Sequence, residues 1–405
     1  MLSKLILEEI IDSQRERLKV FDTGLKRDFP NFETLTSHAL IVTGIRRCGK
    51  STLLQQINQA VGGQTLWLNF EDPRLAGFDT GDFNRIHEIV VSRGINTLFF
   101  DEIQNIDKWE KYVRFRLDEG YRVFITGSNA SMLSKELGTK LTGRHISTEL
   151  FPFSYDEFLA FVDLPASKES SDQYMQWGGF PEMLKTGMSE VLMHVFNDIV
   201  VRDIALRYGI RNTSMLQQLA VWLVSEIGKP VTGNSLRKIF DIGSSSSIME
   251  YLSHLHSAFL FFFVPRFSYS QKVQIVNPRK VYAIDNGLIS ANSVSFGNDS
   301  GRLLENMVFM HLRRQTRKIF YFAEKKECDF VVFGTTKKPS LYQVCWQLDS
   351  NNIDRELAGI NEAMDFFGVT EGRIITHDQS DSFAFPGKTI SAIPFHQLTT
   401  YRPLT

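Results

Sequence analysis

GIRRCGKS, residues 44–51, is the stretch that most narrows what this chain can fold into. It fits G-x-x-x-x-G-K-[ST], with Gly44, Gly49, Lys50 and Ser51 at the fixed positions. An apolar run, Ala39 to Val42, leads into it, and a helical pattern starts at Lys50 and Ser51. Glycines let backbone N–H groups close around phosphates, and the first turn of a helix favours an anion. The lysine reaches the outer phosphates and the hydroxyl can ligate Mg²⁺. The expected nucleotide contacts are Gly44, Ile45, Arg46, Arg47, Cys48, Gly49, Lys50, Ser51 and Thr52. The alternative is a solvated turn rich in Gly and Arg.

Two further strand ends follow in the order that such a loop requires. NTLFFDE, residues 96–102, is an apolar strand closing on two carboxylates. Asp101 is placed to hold Mg²⁺ through water, and Glu102 to orient or deprotonate an attacking water. A role in activating water argues against a small-molecule kinase. YRVFITGSNA, residues 121–130, ends in Thr126, Ser128 and Asn129. These either sense the outer phosphate and position the water or bond locally in a strand-end turn. Arg144, which opens another short strand, is the candidate charge-stabilising arginine, in cis or from a neighbouring subunit, with a surface ion pair as the alternative. Strands near 39–43, 65–70, 97–100, 121–126 and 145–150 alternate with helical segments, which predicts an α/β sheet with its ligand at the strand carboxyl ends.

Composition limits what surrounds this core. At 405 residues the chain is expected to hold two or three domains. A net charge of −1 leaves only local patches to attract nucleic acid. Three cysteines in so long a chain speak for a reducing compartment. The apolar stretch AFLFFFV at 258–264 is far shorter than a bilayer span, and the N-terminal MLSKLILEEIIDSQRER reads as an amphipathic helix. A cytoplasmic protein with no membrane contact is the expectation.

GIRRCGKST, NFED (69–72), FFDEIQNIDKWE (99–110), FITGSNASMLSKEL (124–137), LTGR (141–144), LFPFSYDEF (150–158) and GGFPE (178–182) together resemble a prokaryotic family of AAA-type ATPases that carry a C-terminal domain of uncertain function. The resemblance runs through nearly the whole chain. It implies a five-stranded AAA-like core over residues 1–183, ATP as nucleotide and Mg²⁺ as cofactor, and leaves the substrate undefined.

Residues 184–270 read as a helical linker followed by a winged helix-turn-helix. VRDIALRYGIRN is the linker, read as a lid or coupling element, and Thr213 to Phe267 supplies three helices and a strand. The third helix offers serines and then Glu250 where a DNA reader usually offers Arg, Lys, Asn or Gln. Lys229, Arg237 and Lys238 could touch phosphates; docking of protein is the alternative. Residues 271–405 open with a strand and turn, KVYAIDNGL (280–288), and go on in the order helix, three strands, helix, strand, which resembles the restriction-endonuclease-like fold. That resemblance implies a metal site at Glu305 and Asp329, with an acid and a lysine as E-x-K on the third strand. LYQVCW (341–346) has Gln343 and Cys345 at those positions, so the domain reads as degenerate, with Lys325 and Lys326 on a neighbouring turn as possible substitutes. Arg313, Arg314, Arg317 and Lys318 form the densest basic run, able to follow a phosphate backbone or to complement a helix end.

Three functions fit these readings. The first is an ATP-hydrolysing protein that couples nucleotide state to the winged helix and nuclease-like domain on DNA. The second is a nucleotide-dependent switch that binds a protein partner, and the third an ATP-gated metal-dependent nuclease. A homo-oligomer is compatible with each.

Overall fold

The computed structural model describes residues 1–29, 37–128, 143–242, 244–293 and 299–398. Asn129, Leu141 and Thr142 lie outside the described residues. The chain forms two compact units, Met1–Phe151 and Pro152–Thr405, and the expected boundaries at 183 and 270 fall inside the second.

The first unit begins with α1 (Lys4–Lys19), whose Ser3 side chain accepts the Ile6 N–H as an N-cap. Leu7, Ile10, Ile11 and Gln14 are its buried residues, the one-face spacing of an amphipathic helix. Then follow β1 (Ala39–Gly44), α2 (Lys50–Val61), β2 (Thr65–Asn69), α3 (Asp82–Ser92), β3 (Thr97–Asp101), α4 (Trp109–Asp118), β4 (Arg122–Gly127) and β5 (His145–Leu150). The strands make a five-stranded sheet in the order β2-β3-β4-β1-β5. Every pairing is parallel. β1 and β3 are buried at every position, as strands covered on both faces must be, which is why they read as unbroken apolar runs. Parallel strands align their carboxyl ends, so the ends of β1, β3 and β4 come to one edge of the sheet.

The second unit opens with helices α5 (Tyr155–Val162), α6 (Lys168–Trp177), α7 (Pro181–Thr186) and α8 (Glu190–Asp198). Ile199–Leu206, expected as part of a lid, is a π-helical continuation of α8. After α9 (Thr213–Ser225) come β6 (Pro230–Val231), α10 (Gly233–Ile239), α11 (Ser245–Ser257), β7 (Phe261–Pro265), α12 (Gln271–Val276) and β8 (Arg279–Ala283). The three strands form an antiparallel sheet in the order β6-β8-β7. β8, grouped by the sequence with the C-terminal domain, thus hydrogen-bonds to the strands before it. Its partner could not be read from a local pattern, because pairing is a long-range property.

After α13 (Asn286–Asn292) and α14 (Ser300–Gln315) come β9 (Ile319–Ala323), β10 (Glu327–Val332), β11 (Ser340–Val344), α15 (Ile353–Phe367), β12 (Glu371–Thr376), β13 (Asp381–Phe385) and β14 (Lys388–Pro394). The sheet order is β13-β14-β12-β11-β10-β9. α15 lies close against it: a Cβ on Gly359 would collide with the Glu327 carbonyl. Ile360, Ala363 and Met364 of that helix join Cys328, Leu341 and Ile374 in the core beneath. No helix among the described residues is long and apolar enough to cross a membrane.

Candidate functional site

The loop after β1 is shaped by its backbone. Gly49 precedes α2 at φ 101°, and Arg47 sits at φ 61°. A Cβ on Gly44 would run into the Leu150 carbonyl, so the first fixed glycine answers to crowding from β5. Cys48 is buried and its Sγ faces the Leu150 carbonyl at 3.4 Å. Burial raises the thiol pKa, and this side chain anchors the loop to the core without facing a ligand. Ile45 is buried too, whereas Arg46 pairs with Glu71 at 3.6 Å. Ser51 and Thr52, on the first turn of α2, are half-buried.

Lys50 is 5% exposed, and its Nζ donates to the Ile45 carbonyl at 3.2 Å and pairs with Glu102 Oε1 at 3.5 Å. Glu102 follows β3 in a left-handed conformation, φ 52°, a backbone cost on the order of 1–3 kcal/mol for a non-glycine residue. Gln104 Nε2 donates to Glu102 Oε2 and lies 3.4 Å from Ser128 Oγ. Thr126 Oγ1 accepts the Glu102 N–H at 2.9 Å and donates to Asp101 Oδ1 at 2.5 Å. The ends of β1, β3 and β4 therefore bring together Lys50, Asp101, Glu102, Thr126 and Ser128, five of the residues singled out from sequence.

The electrostatics separate the two carboxylates. Burial, with the Glu102 charge adding to it, pushes the Asp101 pKa up to about 6, while Thr126, Ser51 and Lys50 hold it back. For Glu102 burial again works against the charge, but Lys50, Gln104 and Arg46 outweigh it, and its pKa lies below the usual range. Asp101 Oδ2 is buried without a hydrogen-bond partner, as are Thr43 Oγ1 and Gln104 Oε1. Buried polar atoms of this kind normally find partners, so three beside one loop mark a place built to receive a ligand. Ser51 and Asp101 together fit a divalent cation, and the loop N–H groups with Lys50 fit phosphates. Ser51 and Asp101 also line a cavity of about 650 Å³ with Trp67, Asn69 and Arg74.

Arg144 is not brought to this edge. Ala39 pairs with His145 at the amino end of β1, and Gly44 stands at the other end beside Leu150. The Arg144 guanidinium pairs with Asp118 on the surface, both side chains 46% exposed. Parallel pairing puts the first residue of β5 at the opposite edge from the loop, which rules out a role for Arg144 in its own chain's site.

Two residues went unnoticed in the sequence. Gln104 lies two positions past Glu102 and its amide is spent on that carboxylate. Arg27, 6% exposed, donates through Nη1 to the Cys48 carbonyl at 3.2 Å and to the Phe151 carbonyl at 3.0 Å, and so clasps the loop to the end of β5. Nothing in the pattern around Arg27 signals this.

Residues 36–159 match the model of an AAA domain, and residues 168–298 that of a domain of unknown function (DUF8612). Uncharacterized protein MJ1544 of Methanocaldococcus jannaschii is 33% identical over 387 residues, which cover 89% of this chain and 86% of that protein. An uncharacterized protein of Haemophilus influenzae is 30% identical over 318 residues, 73% of this chain and 80% of the relative. Among solved structures, Cdc6p from Pyrobaculum aerophilum overlays with a TM-score of 0.27 at 11% identity, over 74% of this chain and 95% of that one, too distant for any inference to rest on.

Proposed function

Because this chain belongs to the same family as those archaeal and bacterial proteins, one built on an AAA-type P-loop ATPase domain, we propose that it binds ATP with Mg²⁺ and hydrolyses it. The observation that carries this is the convergence of Lys50, Asp101 and Glu102 beside partnerless buried oxygens. Mg²⁺ held by Ser51 and Asp101 would neutralise charge on the outer phosphates. Lys50 would leave Glu102 for those phosphates, freeing the Glu102 carboxylate to take a proton from water. Gln104 is a positioning residue: its amide N–H groups hold Glu102, and its Oε1 is left to accept from the attacking water. Ser128, within reach of Gln104, would sense the outer phosphate. A charge-stabilising role for Arg144 is left only to a neighbouring copy of the chain.

We read α9, α10 and α11 with β6, β7 and β8 as a winged helix-turn-helix, and α14 to β14 as a restriction-endonuclease-like domain, on the order of their elements. In this reading hydrolysis in the first unit drives the action of the second on DNA. One observation favours a protein partner instead. Met249 of α11, the helix where a DNA reader would offer polar groups, is exposed and apolar, as are Val273, Ile275 and Val276 of α12. The basic run is also engaged within the second unit: Arg313 lies over the Phe262 ring, and Arg314 donates to the Pro152 and Phe153 carbonyls.

Steady-state ATPase with and without duplex DNA, across a range of salt, separates the two. Action on DNA predicts a stimulation that fades as salt rises, because counterion release weakens. ATP turnover indifferent to DNA at low salt would sink the DNA reading and leave the nucleotide-dependent protein switch.

A further inference from the structure

The second unit gathers carboxylates of a kind that elsewhere hold divalent metals. Glu305 comes from α14, and Glu327 and Asp329 from β10. β10 pairs with β9 with a register shift between Cys328 and Val331, and Asp329, in that stretch, is buried. The strand sequence gives no hint of what meets them. Lys280, on β8, places its Nζ 3.3 Å from Glu305 Oε1, 2.6 Å from Glu327 Oε1 and 2.9 Å from Asp329 Oδ1. The Lys280 side chain is 4% exposed.

The Lys280 ammonium fills the space between the three carboxylates, and two of their oxygens are engaged elsewhere as well. Asp329 Oδ2 accepts the Val344 N–H at 2.9 Å. Tyr282 donates to Glu305 Oε1 at 2.6 Å, the same oxygen that meets Lys280. Both oxygens of Asp329 and Oε1 of Glu305 have partners, in contrast to Asp101 Oδ2 in the first unit. The positions expected to supply an acid and a lysine are no better placed. Gln343 Oε1 accepts the Asp329 N–H at 3.3 Å, and its Nε2 donates to Glu356 Oε2 at 2.7 Å. Cys345 lies past the end of β11 in the apolar core, and burial pushes its thiol up to about 11, so it stays neutral. Lys325 and Lys326 are exposed on the turn before β10. With the side chains as they stand around Lys280, no group of His, Cys, Asp and Glu among the described residues is arranged to hold a metal ion.

We infer that Lys280 is the resident cation of the Glu305–Glu327–Asp329 cluster: its ammonium stands where a divalent metal would have to bind, so this domain takes no catalytic metal and does not cut phosphodiesters. Charge supports the assignment. Burial opposes the Lys280 charge, yet Asp329, Tyr282, Glu305 and Glu327 outweigh it and hold its pKa well above the usual value. The cluster also ties β8, and with it the three-stranded sheet, to α14 and β10 through an ion pair that cannot be swapped for a free ion. ATP-gated cleavage is therefore set aside, for a reason independent of whether the first unit hydrolyses ATP.

Mn²⁺ binding to the full-length chain without nucleotide, read by electron paramagnetic resonance, tests this. Wild type and Glu305→Gln should bind the same amount. Lys280→Met should gain about one ion per chain, and lose it again when combined with Glu305→Gln. Mn²⁺ bound by wild type and lost in Glu305→Gln overturns the inference, and so does a folded Lys280→Met that gains none. Should Lys280→Met fail to fold, the wild type and Glu305→Gln pair decides alone: equal binding supports the inference and unequal binding overturns it.

Discussion

Glu102→Gln should slow ATP hydrolysis by about 10²–10⁴-fold and leave ATP affinity within a few-fold of wild type. The amide keeps the size of the side chain but cannot take a proton from water. Lys50, Gln104 and Arg46 keep the carboxylate it replaces ionised despite burial, and that carboxylate gains basicity once Lys50 turns to the phosphates. Binding rests on other groups, the loop amides, Lys50 and Ser51, and the variant removes the Glu102 charge that Lys50 pairs with in the ligand-free chain. Freed from that pair, Lys50 should hold phosphate no less well. Single-turnover phosphate release gives the rate and filter binding of labelled ATP the affinity. A hydrolysis rate within tenfold of wild type would remove Glu102 from the mechanism.

ATP affinity in Mg²⁺ should fall by about tenfold for each pH unit below about 6, the value to which burial pushes the Asp101 pKa. The carboxylate must shed its proton to meet the cation, so acid competes directly with metal. Asp101→Asn isolates the effect: it should bind weakly at neutral pH, with a flatter pH profile that meets the wild-type curve in acid. Stability carries the opposite sign in the cation-free chain. The folded pKa is raised above the unfolded one, so between about pH 4 and pH 6 the folded state holds a proton that the unfolded state has released. Stability then falls as pH rises through that window, and ATP with Mg²⁺ should reverse the loss. A pH profile shared by wild type and Asp101→Asn would contradict this role.

The parallel core was legible because its strands are buried on both faces and stop at glycine or at carboxylates. That pattern placed β1, β3 and β4, and with them Lys50, Asp101, Glu102 and Ser128. Arg144 was misplaced because sequence shows that a strand begins but not which edge of the sheet its first residue occupies; register with Ala39 decides that. Gln104 and Arg27 act through one amide and one guanidinium, and neither leaves a periodic trace. In the second unit the run of elements from α14 to β12 follows the expected order, but β13, largely exposed, and β14, its antiparallel partner, were missed. Lys280 escaped for a different reason. It is separated from Glu305 by 25 residues and from Asp329 by 49, and only the pairing of β8 with β7 carries it to them.

Titration calorimetry of ATP with Mg²⁺ into wild type and Lys50→Ala shows whether the 44–51 loop binds ATP. Removing the lysine takes away a side-chain cation held beside Glu102 while leaving the glycine-shaped backbone in place. Wild type should bind about one ATP per chain saturably, and Lys50→Ala should bind it at least about tenfold more weakly, the loss of a charge-assisted contact of about 1.5–3 kcal/mol. Equal affinity in the two proteins, or no saturable binding by wild type, would contradict ATP binding by this loop.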